Sequence, residues 1–394
     1  MLETAKRMRQ LGTETAFDVL ARAQELSTQG RDIINLGIGQ PDFKTAEHIV
    51  EAAVKAFRDG HHGYTPAPGI ISLRKSIAED ILRYRDVDVD PRRIVVVPGG
   101  KVTMFFAILM FGEEGSEILY PNPGFPIYES VIQFTGAKAV PIKLFENEGF
   151  AFDVDSVLEK ITKRTKLLII NSPANPTGGA VPKSYIDQLV EALVNDYPWV
   201  TVLSDEIYSR ITYDNHQHVS LLSYPELEDR VILLDGFSKT HAMTGWRLGY
   251  AVWPESLVEG AIRLAINCHS CVNTATQFAG IAALNGPQNS VANMVLEFDR
   301  RRKLIVEGLN KLPGFRCITP SGAFYAFANI TATGISSKNL QDRLLEEAGV
   351  ATIAGTSFGA LGEGYLRFSY ASSAENIAVA LARTLNLLET RNEA

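Results

Sequence analysis

The sequence has few cysteines, no long apolar run and no excess of positive charge. Its 394 residues include 3 cysteines, which cannot all pair with one another, so we expect a reducing, cytoplasmic setting. No apolar run approaches the roughly 18 residues of a membrane span. The opening MLETAKRMRQLGTE lacks the apolar centre of a secretory signal. Lysine and arginine total 38 against 45 acidic residues, which argues against nucleic acid as the main partner.

What the sequence does have is enough apolar material for large buried cores. Apolar residues make up 46% of the chain and charged residues 21%, and the length suggests two or three domains of about 150 residues. Cys268 and Cys271 form a C-x-x-C pattern, but Cys317 is the only other cysteine and a structural zinc site needs four ligands. We therefore expect small packed residues there and no metal.

Helical and strand-like patterns alternate through the middle of the chain. The predicted helices are 47–59, 70–84, 101–111, 126–134, 155–161 and 183–194. The predicted strands are 95–97, 117–120, 137–142, 167–170, 200–203, 231–234 and 249–252. Because these strands are apolar throughout, they predict a mostly parallel sheet with helices on both faces.

The pattern changes from about residue 287. A long charged helix is predicted at 290–311, strands at 314–318, 323–328 and 365–370, and helices at 338–348 and 374–390. We therefore predict an α/β protein in which a smaller α+β domain is formed by both termini. The predicted divisions are an N-terminal segment 1–46 packed on the small domain, a large domain 47–286 and a small domain 287–394.

Three polar motifs follow three of the predicted strands. They are Asn171-Ser-Pro-Ala-Asn-Pro-Thr-Gly-Gly179, Ser204-Asp-Glu-Ile-Tyr208 and Asp235-Gly-Phe-Ser-Lys-Thr-His-Ala-Met-Thr-Gly-Trp-Arg-Leu-Gly-Tyr250. Ligands of open parallel sheets bind beyond the carboxyl ends of the strands, so the three motifs predict a single site.

These motifs together resemble the fold type I pyridoxal-phosphate enzymes, specifically the class I and II aminotransferases of the aspartate aminotransferase superfamily. The resemblance covers essentially the whole chain, from LGIGQPDF at 36–43 to LRFSY at 366–370. It implies pyridoxal 5'-phosphate as cofactor, an amino acid and a 2-oxo acid as small-molecule reactants, and a homodimer with shared active sites.

The resemblance implies a catalytic group of four residues. Lys239 would bond covalently to the cofactor and then act as the base at the substrate α-carbon. Asp205 would pair with the pyridine nitrogen and keep it protonated. Asn175 and Tyr208 would hydrogen-bond the phenolic oxygen of the ring. A helix N-cap for Asp205 and a loop turn at Asn175 are the structural alternatives, and the second is compatible with the functional role.

The resemblance also implies how the phosphate and the ring face are held. Arg247 would grip the phosphate with its planar guanidinium, beside the backbone amides of Gly99, Gly100 and Lys101 at a helix start. Tyr64 would reach the phosphate of the neighbouring subunit. Phe125 would stack on the pyridine ring.

One position departs from the pattern of many relatives. Gly236 stands three residues before Lys239, where those relatives have a phosphate-binding serine. Whether Ser238 replaces that serine stays open.

Substrate recognition is implied at the other side of the site. Arg367 would clamp the substrate α-carboxylate, with the amides of Ile38 and Gly39 and the side chain of Asn175 closing over the substrate. A buried structural ion pair is the alternative for Arg367. Lys101 matches a lysine that reads a distal carboxylate in some relatives, which favours aspartate or glutamate as donor and 2-oxoglutarate or pyruvate as acceptor. Alanine and aromatic donors stay open.

The leading hypothesis is therefore an aminotransferase that works in ping-pong order. A β- or γ-eliminating lyase would use the same residues on the same scaffold, and fold-level analogy does not separate the two. A regulator built on an aminotransferase-like domain is a more remote alternative. It would need a DNA-binding module, for which residues 1–36 are too few, and the chain is acidic.

Overall fold

The computed structural model describes residues 3–390. Its helices are α1 (Thr15–Thr28), α2 (Glu47–Arg58), α3 (Ile71–Arg85), α4 (Gly100–Phe111), α5 (Ile127–Thr135), α6 (Val154–Leu158), α7 (Lys183–Asn195), α8 (Phe237–Thr240), α9 (Glu255–His269), α10 (Thr274–Asn285), α11 (Asn289–Leu309), α12 (Ser337–Glu346) and α13 (Ala374–Glu389). Its strands are β1 (Ile34–Asn35), β2 (Ile94–Val97), β3 (Glu117–Asn122), β4 (Lys138–Phe145), β5 (Ala151–Phe152), β6 (Thr165–Asn171), β7 (Thr201–Asp205), β8 (Val231–Gly236), β9 (Gly249–Val252), β10 (Tyr325–Asn329), β11 (Val350–Ala351), β12 (Ile353–Ala354) and β13 (Tyr365–Ser369).

The largest sheet has eight strands in the order β2-β9-β8-β7-β6-β3-β4-β5. Strands β3, β4, β6, β7 and β8 are mutually parallel, whereas β9 runs antiparallel to both of its neighbours and β5 to β4. This confirms the predicted α/β class with a mostly parallel sheet.

Apolar side chains alternate between the two faces of this sheet. On β6, Leu167 and Ile169 pack in a core with residues of α4, α5 and α9, while Leu168 and Ile170 pack in a second core with residues of α7. All four are 5% exposed or less. A strand buried on both faces has to be apolar throughout, which explains the unbroken apolar runs in the sequence.

The C-terminal part contains the smaller antiparallel sheet β10-β13-β12. Strand β13 pairs with both neighbours, so Arg367 lies opposite Phe327 on one side and Ile353 on the other. The strand predicted at 314–318 is wrong, because the pairing there is limited to one bridge between Arg316 and Asn329. The amide of the next residue, Cys317, donates instead to the side chain of Asn310.

The N-terminal segment contacts both parts of the chain. Strand β1 pairs in parallel with β11, and Val19, Ala23 and Leu26 of α1 share a core with residues of β12 and of the large sheet. The amide of Gly12 donates to Ser130 Oγ on α5, at 2.8 Å. The domain limits 1–46, 47–286 and 287–394 stay a prediction, and their first two and last four residues lie outside the described range. Within that range, no helix is long and apolar enough to cross a membrane.

Candidate active site

A cavity of about 480 Å³ lies at the carboxyl ends of β6, β7 and β8. The sequence-predicted residues that line it are Ile38, Gly39, Gly100, Lys101, Phe125, Asn175, Asp205, Tyr208, Lys239, Arg247 and Arg367. Gly99 lies behind this lining, against the Arg247 side chain. Tyr64 does not line the cavity of its own chain and is 93% exposed. The structure thus brings eleven of the thirteen predicted residues together, although their roles stay predictions.

Lys239 enters the cavity from α8, which begins directly after β8 ends at Gly236. Its Nζ donates to the carbonyl oxygen of Gly39 at 2.6 Å. Burial, together with the nearby positive charges of Arg367 and Arg247, lowers the pKa of Lys239 to about 8. A lysine whose amine loses its proton so close to neutrality is suited to act as a nucleophile or base.

Asp205 is the last residue of β7 and is held by two hydrogen bonds. Its Oδ2 accepts from the hydroxyl of Tyr128 at 2.7 Å, and its Oδ1 accepts from the amide of Ile207 at 3.3 Å. Burial raises the pKa of Asp205 to about 6, although both hydrogen bonds oppose that shift. A buried carboxylate in this setting favours a cationic partner, which is what a protonated ring nitrogen offers.

A buried ionic network lies behind the ends of β7 and β8. Arg85 Nε donates to Glu206 Oε2 at 2.9 Å, and its Nη2 donates to Asp235 Oδ2 at 2.5 Å. Burial opposes ionisation of Glu206, but His218 and Arg85 outweigh it and lower the pKa of Glu206 to about 2. Arg85 therefore links the end of β7, which carries Asp205, to the end of β8, which leads into the helix that carries Lys239.

Asn175 and Tyr208 both line the cavity, and both are buried. The side-chain oxygen of Asn175 accepts a hydrogen bond from Arg367 Nη1 at 2.8 Å, and the backbone amide of Asn175 donates to Asn171 Oδ1 at 3.0 Å. The hydroxyl of Tyr208 is 2.8 Å from the hydroxyl of Tyr325. Both tyrosines are buried, so each hydroxyl keeps the orientation of the other.

Arg367 is a buried cation on β13. Beside Asn175, its guanidinium donates to the carbonyl oxygen of Gly37 at 2.5 Å, and it lies 4.6 Å from the ring centres of Tyr325 and Phe358. Its Nε is buried without a hydrogen-bond partner, and among residues 3–390 no acidic side chain forms an ion pair with it. Within the described residues, Arg367 therefore does not form a buried ion pair. An anionic ligand would suit it.

The loop before α4 forms a cradle for a small anion. Gly99 has φ +92°, and a Cβ added there would lie 2.1 Å from Arg247 Nη2. Arg247 Nη1 donates to the carbonyl oxygen of Thr244 at 2.8 Å, which fixes the guanidinium beside the first turn of α4. Amides at a helix start next to a guanidinium fit a phosphate. The residues present therefore fit the phosphate of pyridoxal 5'-phosphate.

The position of Gly236 explains why no serine is found there. A Cβ on Gly236 would lie 2.9 Å from the Cα of Gly249, so a side chain would force the two strands apart. Ser238, two residues later, lines the cavity.

Phe125 and Lys101 lie together at the outer part of the cavity. The Lys101 ammonium lies 5.4 Å from the ring centre of Phe125 and forms an ion pair with Glu14. Sequence reasoning missed Glu14, Tyr128, Tyr325 and Arg85. Of these, only Tyr128 carried a local signal, since it stands three residues after Phe125, and the two rings pack edge-on with their centres 5.9 Å apart.

The fold and this cavity define the class of the protein. Residues 31–383 match the family model for aminotransferase class I and II, and the chain belongs to that family. It is a pyridoxal-phosphate-dependent aminotransferase, a transferase of amino-acid metabolism, which confirms the resemblance, the activity and the cofactor predicted from the motifs.

Three relatives illustrate the range within that class. The chain is 35% identical to an aspartate aminotransferase of Geobacillus stearothermophilus over 99% of this chain and 100% of the relative. It is 36% identical to aromatic-amino-acid aminotransferase 2 of Thermococcus litoralis over 91% and 92% of the two chains. The crystal structure of the aspartate aminotransferase from Rhizobium meliloti superposes with a TM-score of 0.94 at 32% identity, covering 99% of each chain.

Proposed function

We propose that this aminotransferase takes the α-amino group of L-aspartate or L-glutamate and gives it to a 2-oxo acid, 2-oxoglutarate or pyruvate, in ping-pong order. The convergence of Lys239, Asp205 and Arg367 on one cavity carries the proposal, because a base, a ring-nitrogen partner and a carboxylate clamp are what transamination needs. The acidic donor is supported by Lys101 in the same cavity and by the aspartate aminotransferases among the relatives.

In this proposal each end of the cofactor has its own residues. Arg247 and the amides of Gly99, Gly100 and Lys101 hold the phosphate. Asp205 pairs with the ring nitrogen, Phe125 covers a ring face, and Asn175 and Tyr208 bind the phenolic oxygen. When bound, pyridoxal phosphate supplies an electron-withdrawing ring that stabilises negative charge at the substrate α-carbon.

The substrate is oriented and deprotonated by the other residues. Arg367 binds the α-carboxylate, and exchange of the Gly37 carbonyl for a carboxylate gives its guanidinium a charged partner. The amides of Ile38 and Gly39 close over the same carboxylate. Lys239 Nζ takes the proton from the α-carbon, which its lowered pKa permits near neutrality.

The test of Lys239 is chemical labelling. Borohydride reduction of the holoenzyme and peptide mapping should place the cofactor on Lys239, and a label on another lysine would contradict the assignment. Lys239→Ala should still bind the cofactor without a covalent bond and lose turnover.

The donor is tested by supplying each of twenty amino acids with an acceptor and measuring the 2-oxo acid formed. The acceptor is 2-oxoglutarate for every donor except glutamate, which is paired with pyruvate because its own product is 2-oxoglutarate. Aspartate or glutamate should react with the highest kcat/KM. Ammonia released without any acceptor would point to an eliminating lyase instead.

We also propose a homodimer in which Tyr64 serves the phosphate of the partner subunit. The exposure of Tyr64 beside a fixed loop supports this, since Thr274 Oγ1 donates to the carbonyl oxygen of Gly63 at 2.8 Å. A cytoplasmic location belongs to the same proposal and rests on the three cysteines, none of which is paired.

A further inference from the structure

The outer part of the cavity holds an ion pair that the transamination chemistry does not require. Lys101, in the first turn of α4, pairs with the carboxylate of Glu14, the residue before α1. Both side chains line the cavity, and within residues 3–390 the only other acidic side chain lining it is Asp205. Glu14 makes no capping hydrogen bond to α1, so its side chain is engaged by Lys101 and not by its own helix.

Two aromatic rings lie against the same ammonium. The Lys101 Nζ is 6.0 Å from the ring centre of Phe17 and 5.4 Å from that of Phe125, and both rings line the cavity. This part of the cavity therefore offers an apolar surface together with a positive charge that is already balanced. An uncharged side chain could contact the rings without breaking the pair.

The ion pair is exposed enough to be exchanged. The side chain of Glu14 is 14% exposed and that of Lys101 is 43% exposed, and pairs in contact with water contribute little stability. The Glu14 carboxylate also raises the pKa values of Lys239 and Arg367, although it is not the main influence on either. It therefore acts within the electrostatic field of the substrate site.

We propose that Glu14 is a specificity-determining residue that competes with the side-chain carboxylate of an acidic substrate for Lys101. An acidic amino acid has to take Lys101 from Glu14, whereas an uncharged or aromatic one leaves the pair in place. The enzyme then accepts both classes, and Glu14 reduces its preference for the acidic one. This rests on the proposed function in that Lys101 is taken to face the substrate side chain.

The experiment compares the holoenzyme with Glu14→Gln, which keeps the shape of the side chain and removes its charge. Single-turnover rates with aspartate and with alanine are measured without an acceptor, from the absorbance of the bound cofactor. Calorimetry gives the Kd values of succinate and butyrate, which differ in one carboxylate. Glu14→Gln should raise kcat/KM for aspartate and the affinity for succinate about two- to fivefold, and leave alanine and butyrate unchanged.

Two controls locate the effect at Lys101. Glu25→Gln removes a negative charge from α1, the helix that follows Glu14. Glu25 pairs there with the exposed Arg22, and its replacement should leave the rates or affinities of all four ligands unchanged. In a Lys101→Met background, Glu14→Gln should give no gain for aspartate or succinate, because the group that both carboxylates seek is absent.

Three outcomes would overturn the proposal. They are an equal change for acidic and uncharged ligands, a loss for the acidic ones, or a gain that persists without Lys101. Failure of the proposed donor is a separate result, seen as a wild-type enzyme that does not react with aspartate or glutamate. The succinate and butyrate measurements still decide the role of Glu14 in that case.

Discussion

At the scale of single residues, the cavity is defined by cations that have few or no acidic partners. Arg367 donates to an amide oxygen and a carbonyl oxygen, and Lys239 donates to a carbonyl oxygen. Burial of a charge without a counter-ion is unfavourable, and a folded protein retains it where a ligand supplies the opposite charge. The α-carboxylate of an amino acid is such a ligand for Arg367.

Replacement of Arg367 by alanine should separate substrate recognition from cofactor binding. We expect kcat/KM for amino acids to fall roughly 150-fold, because the lost bidentate charged contact removes about 3 kcal/mol of transition-state stabilisation. Amines without a carboxylate should react almost as before, and the cofactor content read from absorbance should not change. Arg300→Ala, an exposed arginine paired with Glu297, is the control. If cofactor content falls, or all substrates lose equally, Arg367 has a structural role.

The buried amine of Lys239 should make the cofactor-free protein sensitive to pH. Its pKa is about 8 in the folded protein against 10.5 for the ordinary side chain, so between these values the unfolded chain binds more protons. Lys239 therefore destabilises the fold below pH 8, and this effect is lost as the pH rises to about 10.5.

Lys239→Met should accordingly stabilise the cofactor-free protein against urea by about 1–3 kcal/mol at pH 7. This advantage should shrink between pH 8 and pH 10. Lys303→Met, which removes an exposed lysine, should show no such pH dependence. A constant difference between Lys239→Met and wild type at every pH would mean that the amine is not desolvated.

The residues that could be predicted from the sequence are those within the three strand-end motifs or the C-terminal strand. Lys239, Asp205 and Asn175 stand in contiguous motifs that follow or end strands at the same edge of the large sheet, and Arg367 stands within β13 of the small sheet. Glu14, by contrast, reaches Lys101 across 87 positions of sequence. No local pattern encodes such a contact, because it depends on how the N-terminal segment crosses the folded chain.

At the scale of elements, periodicity located most of the long helices and strands because each packs through an apolar face, but it missed the long helices α1 and α10. It failed at 314–318, where the residues are apolar enough for a strand but lie between Pro313 and Pro320. Proline has no amide hydrogen to donate to a neighbouring strand, which limits pairing near it. The pairing of this segment is one isolated bridge, between Arg316 and Asn329. Short β1, β5, β11 and β12 were missed because two residues carry no measurable period.

The start of α4 allows a test of the phosphate cradle. Gly99→Ala places a Cβ against Arg247 at a backbone φ of +92°, whereas Gly115→Ala introduces the same strain at φ +88° with nothing within 4 Å. Both variants should lose roughly 1–2 kcal/mol of stability.

Only Gly99→Ala should bind pyridoxal phosphate and inorganic phosphate more weakly, by about tenfold or more, in calorimetric titrations. Equal losses of affinity in Gly99→Ala and Gly115→Ala would show that strain, and not the cradle, is responsible.

At the scale of the whole molecule, the site is assembled from distant parts of the chain. The N-terminal segment contributes Ile38 and Gly39, helix α8 after the large-sheet strand β8 contributes Lys239, and Arg367 comes from the small antiparallel sheet. Arg301 links α11 to the N-terminal segment, since it pairs with Asp42. Tyr64 does not line the cavity of its own chain, and its side chain makes no hydrogen bond within residues 3–390. Its exposure of 93% leaves it accessible to another subunit, as the proposed homodimer requires.

The shared site can be tested by mixing two damaged subunits. A Lys239→Ala subunit has an inactive site but supplies an intact Tyr64, and a Tyr64→Ala subunit keeps Lys239 in its own site. If Tyr64 serves the partner, each heterodimer contains one complete site and one with both defects. Mixing should therefore produce sites with the wild-type affinity for pyridoxal phosphate, which neither parent dimer has. Affinity that stays at the Tyr64→Ala value after exchange, or a fully active monomer in sedimentation, would contradict the shared site.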